Sequence, residues 1–149
     1  MLTDASRLRR SNRDYKLVSE NSKSGCKSSI WEEDEMKIGI LTCVRSNDVC
    51  ARVGCLEAFN QRTGYFKEYD RDTHLSAMMT CNACRSDNPK EPEDDPGIRE
   101  KIERLVKEDI KVMHAGICRM HHGKECGRFA KICTLMEEKG IRIVRGTHA

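Results

Sequence analysis

Two kinds of apolar segment alternate along most of this chain, and the alternation limits the folds open to it. Short apolar runs typical of buried strands cover residues 37–43, 73–80, 111–117 and 141–145. Stretches with helical spacing separate these runs. An alternating order of four strands and three helices predicts one parallel sheet, because each helix must cross a face of the sheet to reach the next strand.

The three helical segments differ in how clearly their ends are marked. The first, residues 53–64, is predicted to turn an apolar face inward that consists of Val53, Leu56 and Phe59. The second has Asp95 as a predicted N-cap and Pro96 in its first turn, before apolar residues at Ile98, Ile102, Leu105 and Val106. The third, residues 125–139, stops at Gly140 and buries Phe129, Ile132, Cys133 and Met136.

The predicted fold class is therefore α/β with three layers, a mostly parallel four-stranded sheet with flanking helices. We expect a flavodoxin-like order, in which the second strand lies beside the first and the third and fourth follow on the other side. Open sheets of this kind bind their ligands at the carboxyl ends of the strands. Residues that directly follow the strands are the first candidates for a functional site.

Composition changes near Met36. Residues 1–35 are rich in Ser, Asn, Arg and Glu and lack a clear period, which predicts a disordered or loosely attached leader. An alternative start at Met36 would account for such a leader, and we expect the folded domain to cover residues 36–149. A second polar tract, residues 87–95, contains two prolines and is predicted to form an exposed loop.

Length and charge exclude several classes of protein. The 149 residues suit one domain with a core of its own, and the N-terminus lacks the apolar run of a signal peptide. We therefore expect the nine cysteines to be reduced thiols in the cytoplasm rather than a secreted disulfide framework. No stretch approaches the roughly 20 apolar residues of a membrane span. A net charge of +3 with few aromatic residues gives no indication of nucleic-acid binding.

Cysteines stand at or just beyond the ends of three predicted strands. Cys43 and Cys81 close the first and second strands, Cys118 follows the third, and His148 follows the fourth. In the expected strand order these residues form a row along one edge of the sheet. Neighbouring strands lie about 4.8 Å apart, and two thiolates on one zinc ion lie roughly 3.8 Å apart, so adjacent strand ends can share an ion. The whole row is too wide for one ion, which leaves either one centre formed by a subset or two centres.

The sharpest local motif is the Cys-x-x-Cys sequence from Cys81 to Cys84. This spacing lets both sulfurs face one ion or each other, and it serves zinc, iron–sulfur and dithiol sites alike. A redox dithiol usually places its first cysteine at a helix N-terminus. Here the next predicted helix begins only near Asp95, which favours the metal interpretation.

The pattern of cysteines resembles that of the CGGC domain family over residues 36–149. The family's spacing of cysteines around the first helix is matched by Cys43, Cys50 and Cys55, and its central motif by Cys81 and Cys84. Later positions of the family pattern correspond to Cys118, Cys126 and the closing Gly146, Thr147 and His148. Members are proposed metal binders, mostly of zinc, so the resemblance implies a metal site and no particular reaction.

This chain departs from the family pattern in two places. Asn82 and Ala83 replace the two glycines of the central motif, so any need for a positive φ there falls on Asn82. Gly127 and Arg128 replace a Pro-His pair that the family tends to have after the later cysteine. The nearby histidines, His121 and His122, are possible substitutes for the lost imidazole.

The leading hypothesis is a cytoplasmic metal-binding protein, with zinc as the expected ion and an iron–sulfur cluster as the alternative. Its predicted ligands are Cys43, Cys50, Cys55, Cys81, Cys84, Cys118, Cys126 and His148. The competing hypothesis is a thiol–disulfide redox enzyme in which Cys81 attacks and Cys84 resolves. Cys133, His74 and His114 are predicted to be structural residues of a helix and two strands.

Overall fold

The computed structural model describes residues 35–82, 84 and 90–148. The predicted leader, residues 1–35, lies outside the described residues apart from its last one, as do residues 87–89 of the predicted loop at 87–95. The strands are β1 Lys37–Thr42, β2 His74–Thr80, β3 Val112–Ala115, β4 Met120–His121, β5 Lys124–Glu125 and β6 Arg142–Val144. The helices are α1 Val53–Gln61, α2 Pro96–Lys107 and α3 Gly127–Glu137.

Four parallel strands form the main sheet in the order β2-β1-β3-β6. The pairing of β1 with β2 runs from Lys37 opposite His74 to Thr42 opposite Thr80, so the two strands end level with each other. On the other side of β1, Leu41 lies opposite Ala115 of β3. The α/β class and the flavodoxin-like strand order predicted from the sequence are both confirmed.

The helices divide between the two faces of the sheet. Ile38 and Ile40 of β1 point to one face, where they pack with buried residues of α1. Leu41 and Cys43 point to the other face and join the core formed with α2 and α3. This alternation follows from the two-residue period of a strand. The sheet therefore separates two hydrophobic cores, and Cys43 and Cys81, which follow β1 and β2, both belong to the core with α2 and α3.

The predicted inward face of α1 is wrong for two of its three residues. Val53 is 66% exposed and Leu56 is 36% exposed, and the buried residues of the helix are Cys55, Ala58 and Phe59. Both sets have helical spacing, so periodicity alone does not separate them. In the structure, Cys55, Ala58 and Phe59 face the sheet and pack in one core with Ile38 and Ile40 of β1.

The region between β3 and α3 contains a short hairpin that the sequence analysis did not predict. Strands β4 and β5 pair antiparallel, with Met120 opposite Glu125 and His121 opposite Lys124. His122 and Gly123 both have positive φ, as a two-residue hairpin turn of type I′ requires. Glu125, predicted as the start of the third helix, is therefore a strand residue, and α3 begins at Gly127. Among the described residues, no helix is both long and apolar enough to cross a membrane.

Asp95 caps α2 as predicted, and its removal should be measurable. Its Oδ1 accepts hydrogen bonds from the N–H groups of Gly97 at 2.8 Å and Ile98 at 3.3 Å. We expect Asp95→Ala to lower the free energy of unfolding by about 1–2 kcal/mol, as measured by urea denaturation. Glu103→Ala, an exposed acidic residue on the same helix, is the matched control and should change it by less than about 0.5 kcal/mol. Equal effects of the two substitutions would contradict the capping role.

Candidate functional site

Three cysteines meet at the carboxyl ends of three adjacent strands. The backbone N–H of Cys43 donates to Sγ of Cys118 at 3.1 Å. The next backbone N–H along the chain, that of Val44, donates to Sγ of Cys81 at 3.4 Å. Two successive amides just after β1 thus hold the sulfurs that follow its two neighbouring strands. The sulfurs of Cys81 and Cys118 therefore both contact the backbone that follows β1, beside Cys43.

In both hydrogen bonds the backbone donates and the sulfur accepts. An N–H group aimed at sulfur places the positive end of a dipole against it, and such donors stabilise the anionic form of an acceptor. The thiolate is the form of cysteine that ligates metals and acts as a nucleophile. Cys43 and Cys81 are buried and Cys118 is half-buried, so water competes little for these contacts.

The imidazole of His121 lies beside this group. Its Nε2 lies 3.8 Å from Sγ of Cys43. A sulfur and a nitrogen bound to one tetrahedral zinc ion lie roughly 3.6 Å apart, so this pair has the spacing of two ligands. His121 was considered in the sequence only as a substitute for a missing histidine. In the sequence, the pair His122-Gly123 is the feature that could have indicated a hairpin turn and with it the position of His121.

The hairpin is anchored to the sheet by a buried cation. Arg119 donates from Nη1 to the carbonyl oxygens of Ala115 at 3.2 Å and Gly116 at 3.1 Å, and from Nε to Glu125 at 3.0 Å. Its side chain is only 11% exposed, and the Glu125 side chain 26%. Arg119 thereby ties the end of β3 to strand β5 and fixes the segment that contains Cys118 and His121. We call Cys43, Cys81, Cys118 and His121 the strand-end cluster.

The strand-end cluster fits a soft metal ion in its chemistry and only partly in its geometry. Three thiols and an imidazole are the ligand types that zinc prefers. Across the described part of the chain, however, no three His, Cys, Asp or Glu side chains lie close enough together to hold one ion. Cys43 and His121 have ligand spacing, and the other two sulfurs would have to approach them by a change of side-chain rotamer.

Three further predicted ligands, Cys84, Cys126 and Cys50, have different surroundings. Cys84 is exposed in the turn after Cys81, and Cys126 is the half-buried N-cap residue of α3 and packs against the same core. Cys50 is exposed in the segment before α1, where its sulfur accepts the N–H of Arg52 at 3.4 Å. Asn82 of the central motif does not have the positive φ that a glycine there would permit. Instead its Oδ1 accepts from Lys101 of α2 at 2.9 Å, which ties the motif to that helix.

Cys55 and His148 form a second group on the opposite face of the sheet. Sγ of Cys55 lies 3.3 Å from Oγ1 of Thr147 and 3.6 Å from Nδ1 of His148. Oγ1 of Thr147 lies 3.1 Å from the same Nδ1. Cys55 belongs to the core beneath α1, whereas Cys43 and Cys81 belong to the core beneath α2 and α3. The predicted row of ligands is thus divided by the sheet, and we call Cys55, Thr147 and His148 the Cys55 group.

A buried histidine holds the chain segment that carries this group. His114 of β3 is fully buried, and its Nδ1 lies 2.8 Å from the carbonyl oxygen of Gly146. A carbonyl only accepts, so Nδ1 carries the proton and Nε2 accepts from the hydroxyl of Tyr69 at 2.8 Å. Burial lowers the pKa of His114. The hydrogen bond to Gly146 raises this pKa, and the positive charge of Arg142 lowers it further. The predicted structural role of His114 is confirmed.

Two other predicted structural residues differ in their surroundings. Cys133 is fully buried between α3 and the sheet, and burial raises the pKa of its thiol to about 11. It is a core residue, as predicted, and is held in its neutral form. His74 begins β2 at the surface and pairs with Glu35 at 3.4 Å, so its strand position did not imply burial.

Comparison with known proteins gave one match. The family model described as the CGGC domain matches residues 37–148, which includes all four strands of the main sheet, the strand-end cluster and the Cys55 group. No curated protein and no solved structure matches the chain.

Proposed function

Since the chain belongs to the CGGC domain family, we propose that it binds a soft metal ion, zinc in the first place, at the strand-end cluster. The observation that carries this proposal is the pair of successive N–H groups, of Cys43 and Val44, that donate to the sulfurs of Cys118 and Cys81. This arrangement places sulfurs that follow three separate strands at one edge of the sheet, each next to the backbone after β1. Sulfur ligands select zinc, copper(I) or iron–sulfur clusters over magnesium and calcium.

Cys43 and His121 would form one side of the site, since their spacing already suits one ion. Cys81 and Cys118 would complete it from the two flanking strands. Cys84 is proposed as a further ligand from the exposed turn, and Cys126 as an auxiliary one at the start of α3. The ligand role of Cys50 stays a prediction that depends on the sequence pattern, and that of Cys55 and His148 would require a second centre.

The number of protein ligands would decide what the ion does. Four would make it structural, whereas three and an open position would let it act as a Lewis acid on a bound molecule. The proposed function is therefore metal binding, with no reaction assigned. Localisation in the cytoplasm fits a site built from reduced thiols and is part of the same proposal.

Elemental analysis of the full chain purified without oxygen tests the proposal. We expect about one equivalent of metal per chain, after purification or after zinc is added to the reduced protein. An iron–sulfur cluster would add broad visible absorption, which zinc does not. The proposal fails if the protein holds no stoichiometric metal as purified, with added zinc, or after reconstitution with iron and sulfide. A reversible Cys81–Cys84 disulfide trapped in metal-free protein would instead support the thiol–disulfide redox alternative.

A further inference from the structure

We propose that Cys55 is a second reactive thiol, separate from the strand-end cluster, and that it attacks small electrophiles with His148 as the acceptor of its proton. The inference goes beyond metal binding and does not depend on it. The Cys55 group lies on the α1 face of the sheet and the strand-end cluster on the α2 and α3 face. Each site can therefore be tested while the other is left intact.

The three side chains of the Cys55 group form a connected path for a proton. We assign the Cys55 S–H as donor to Thr147 Oγ1 at 3.3 Å and the Thr147 hydroxyl as donor to His148 Nδ1 at 3.1 Å. Each donor then has an acceptor, and Nδ1 is left as the base. The direct distance from Sγ to Nδ1 is 3.6 Å, which is within the looser range seen between a nucleophile and its base before a substrate binds.

The protein holds the imidazole of His148 from several sides. A Cβ atom added to Gly54 of α1 would lie 3.3 Å from its ring, so the missing side chain lets the ring pack on the helix backbone. The preceding residue, Thr147, is fully buried, and its carbonyl oxygen accepts the N–H of Tyr65 at 3.1 Å. At Gly146 a Cβ would collide with the ring of Tyr65. Three consecutive residues are thus fixed, and the third presents its ring to a cysteine.

Cys55 lies in the first turn of α1. Cys55 is the third residue of a nine-residue helix, and no acidic residue lies in the first turn. The free backbone N–H groups of that turn point toward the start of the helix, where the positive end of its dipole lies. The sulfur of Cys55 therefore lies near the start of α1 and 3.6 Å from Nδ1 of His148, the proposed base.

Limited access restricts the substrate to a small electrophile. Cys55 is 5% exposed, and His148 beside it is half-buried. In the reaction with iodoacetamide, the sulfur would form a bond to the methylene carbon as the carbon–iodine bond breaks and iodide leaves with the bonding electrons. The thiol proton would pass through the Thr147 hydroxyl to His148 Nδ1. No oxidant or further reactant is required.

The test is the rate at which iodoacetamide modifies each cysteine of the full chain at pH 7, measured by peptide mass spectrometry. We expect Cys55 to react at least about ten times faster than Cys133, a buried cysteine on another helix whose pKa of about 11 keeps it neutral. His148→Gln should lower the ratio of the Cys55 rate to the Cys133 rate at least about tenfold, because base catalysis is commonly worth that much or more. Thr147→Val should also lower the ratio, and Thr147→Ser should retain it.

Two controls keep the outcome decisive. His74→Gln changes a surface histidine and should leave the ratio unchanged, and the Cys133 rate measured in each variant serves as the second control. A variant that only loosens the fold would speed the labelling of both Cys55 and Cys133, so the ratio separates loosening from loss of the base. The proposal is overturned if Cys55 reacts no faster than Cys133, or if His148→Gln leaves the ratio unchanged. It is also overturned if zinc protects Cys55 in the Cys43→Ala variant, since the group would then be a metal site.

Discussion

Replacing His114 with alanine should lower the free energy of unfolding by about 3–5 kcal/mol. The side chain is fully buried against Phe66, with the two ring centroids 4.3 Å apart, so its removal leaves a cavity. It also removes the partners of the Tyr69 hydroxyl and of the Gly146 carbonyl. Urea denaturation of the two proteins measures the difference.

The same residue should make stability depend on pH. Burial keeps the pKa of His114 below its ordinary value of 6.5, so the unfolded chain takes up a proton more readily than the folded one. The stabilisation is complete above about pH 6.5 and decreases as the pH falls from there toward the lowered pKa of the folded state, by at most about 1.4 kcal/mol per pH unit. Denaturation of the wild type and His114→Ala between pH 5 and 7.5 should show this slope only in the wild type.

His74→Ala is the matched control for both measurements, because it makes the same substitution at an exposed strand position. It should change the free energy of unfolding by less than about 0.5 kcal/mol and leave the pH slope in place. If His74→Ala and His114→Ala had similar effects, the assignment of His114 as the neutral centre of a buried hydrogen-bond network would be wrong.

Replacing Cys43 with alanine should lower zinc affinity at least about a hundredfold. Cys43 follows the central strand of the three, and within the strand-end cluster it is the cysteine with an imidazole at ligand spacing. The loss of a direct ligand should exceed the roughly tenfold to hundredfold loss that removal of a ligand's supporting contact usually causes. Competition with a chromophoric zinc chelator measures the change.

Cys133→Ala removes a buried thiol from the same core without touching the strand-end cluster. It should leave zinc affinity within about twofold of the wild-type value even where it lowers stability. Arg119→Met provides an intermediate case, because it keeps Cys118 and His121 but removes the cation that anchors their hairpin, and a loss of about tenfold is expected. Equal affinity in Cys43→Ala and wild type would remove the strand-end cluster as the site.

The sheet and its cysteine-bearing edge could be predicted because they depend on short-range patterns. Apolar runs marked the four strands, and the flavodoxin-like order was the arrangement expected for a parallel sheet of this kind. Once the order is known, residues that follow the strands must lie along one edge, and Cys43, Cys81 and Cys118 do so. Asp95 and Pro96 likewise marked the start of α2 by local chemistry.

The side of the sheet on which each residue lies could not be predicted in the same way. His148 follows β6 in the expected place, yet the path of Gly146 and Thr147 turns it toward α1 and away from the cysteines of the other strands. Helical spacing also allowed two inward faces for α1, and only packing against the sheet decides that Cys55 lies inside. The hairpin of His121 depends on two consecutive positive φ angles, one of them at a non-glycine residue.

The central sheet separates two groups of sulfur atoms, those of the strand-end cluster on one face and that of Cys55 on the other. Five side chains of β1 and β3 in the sheet between the two cores are at most 1% exposed: Ile38, Ile40, Leu41, Val112 and Met113. A reagent that reaches one group of sulfurs is therefore separated from the other group by buried apolar residues. If both proposals hold, one group can be modified chemically while the other is left unchanged.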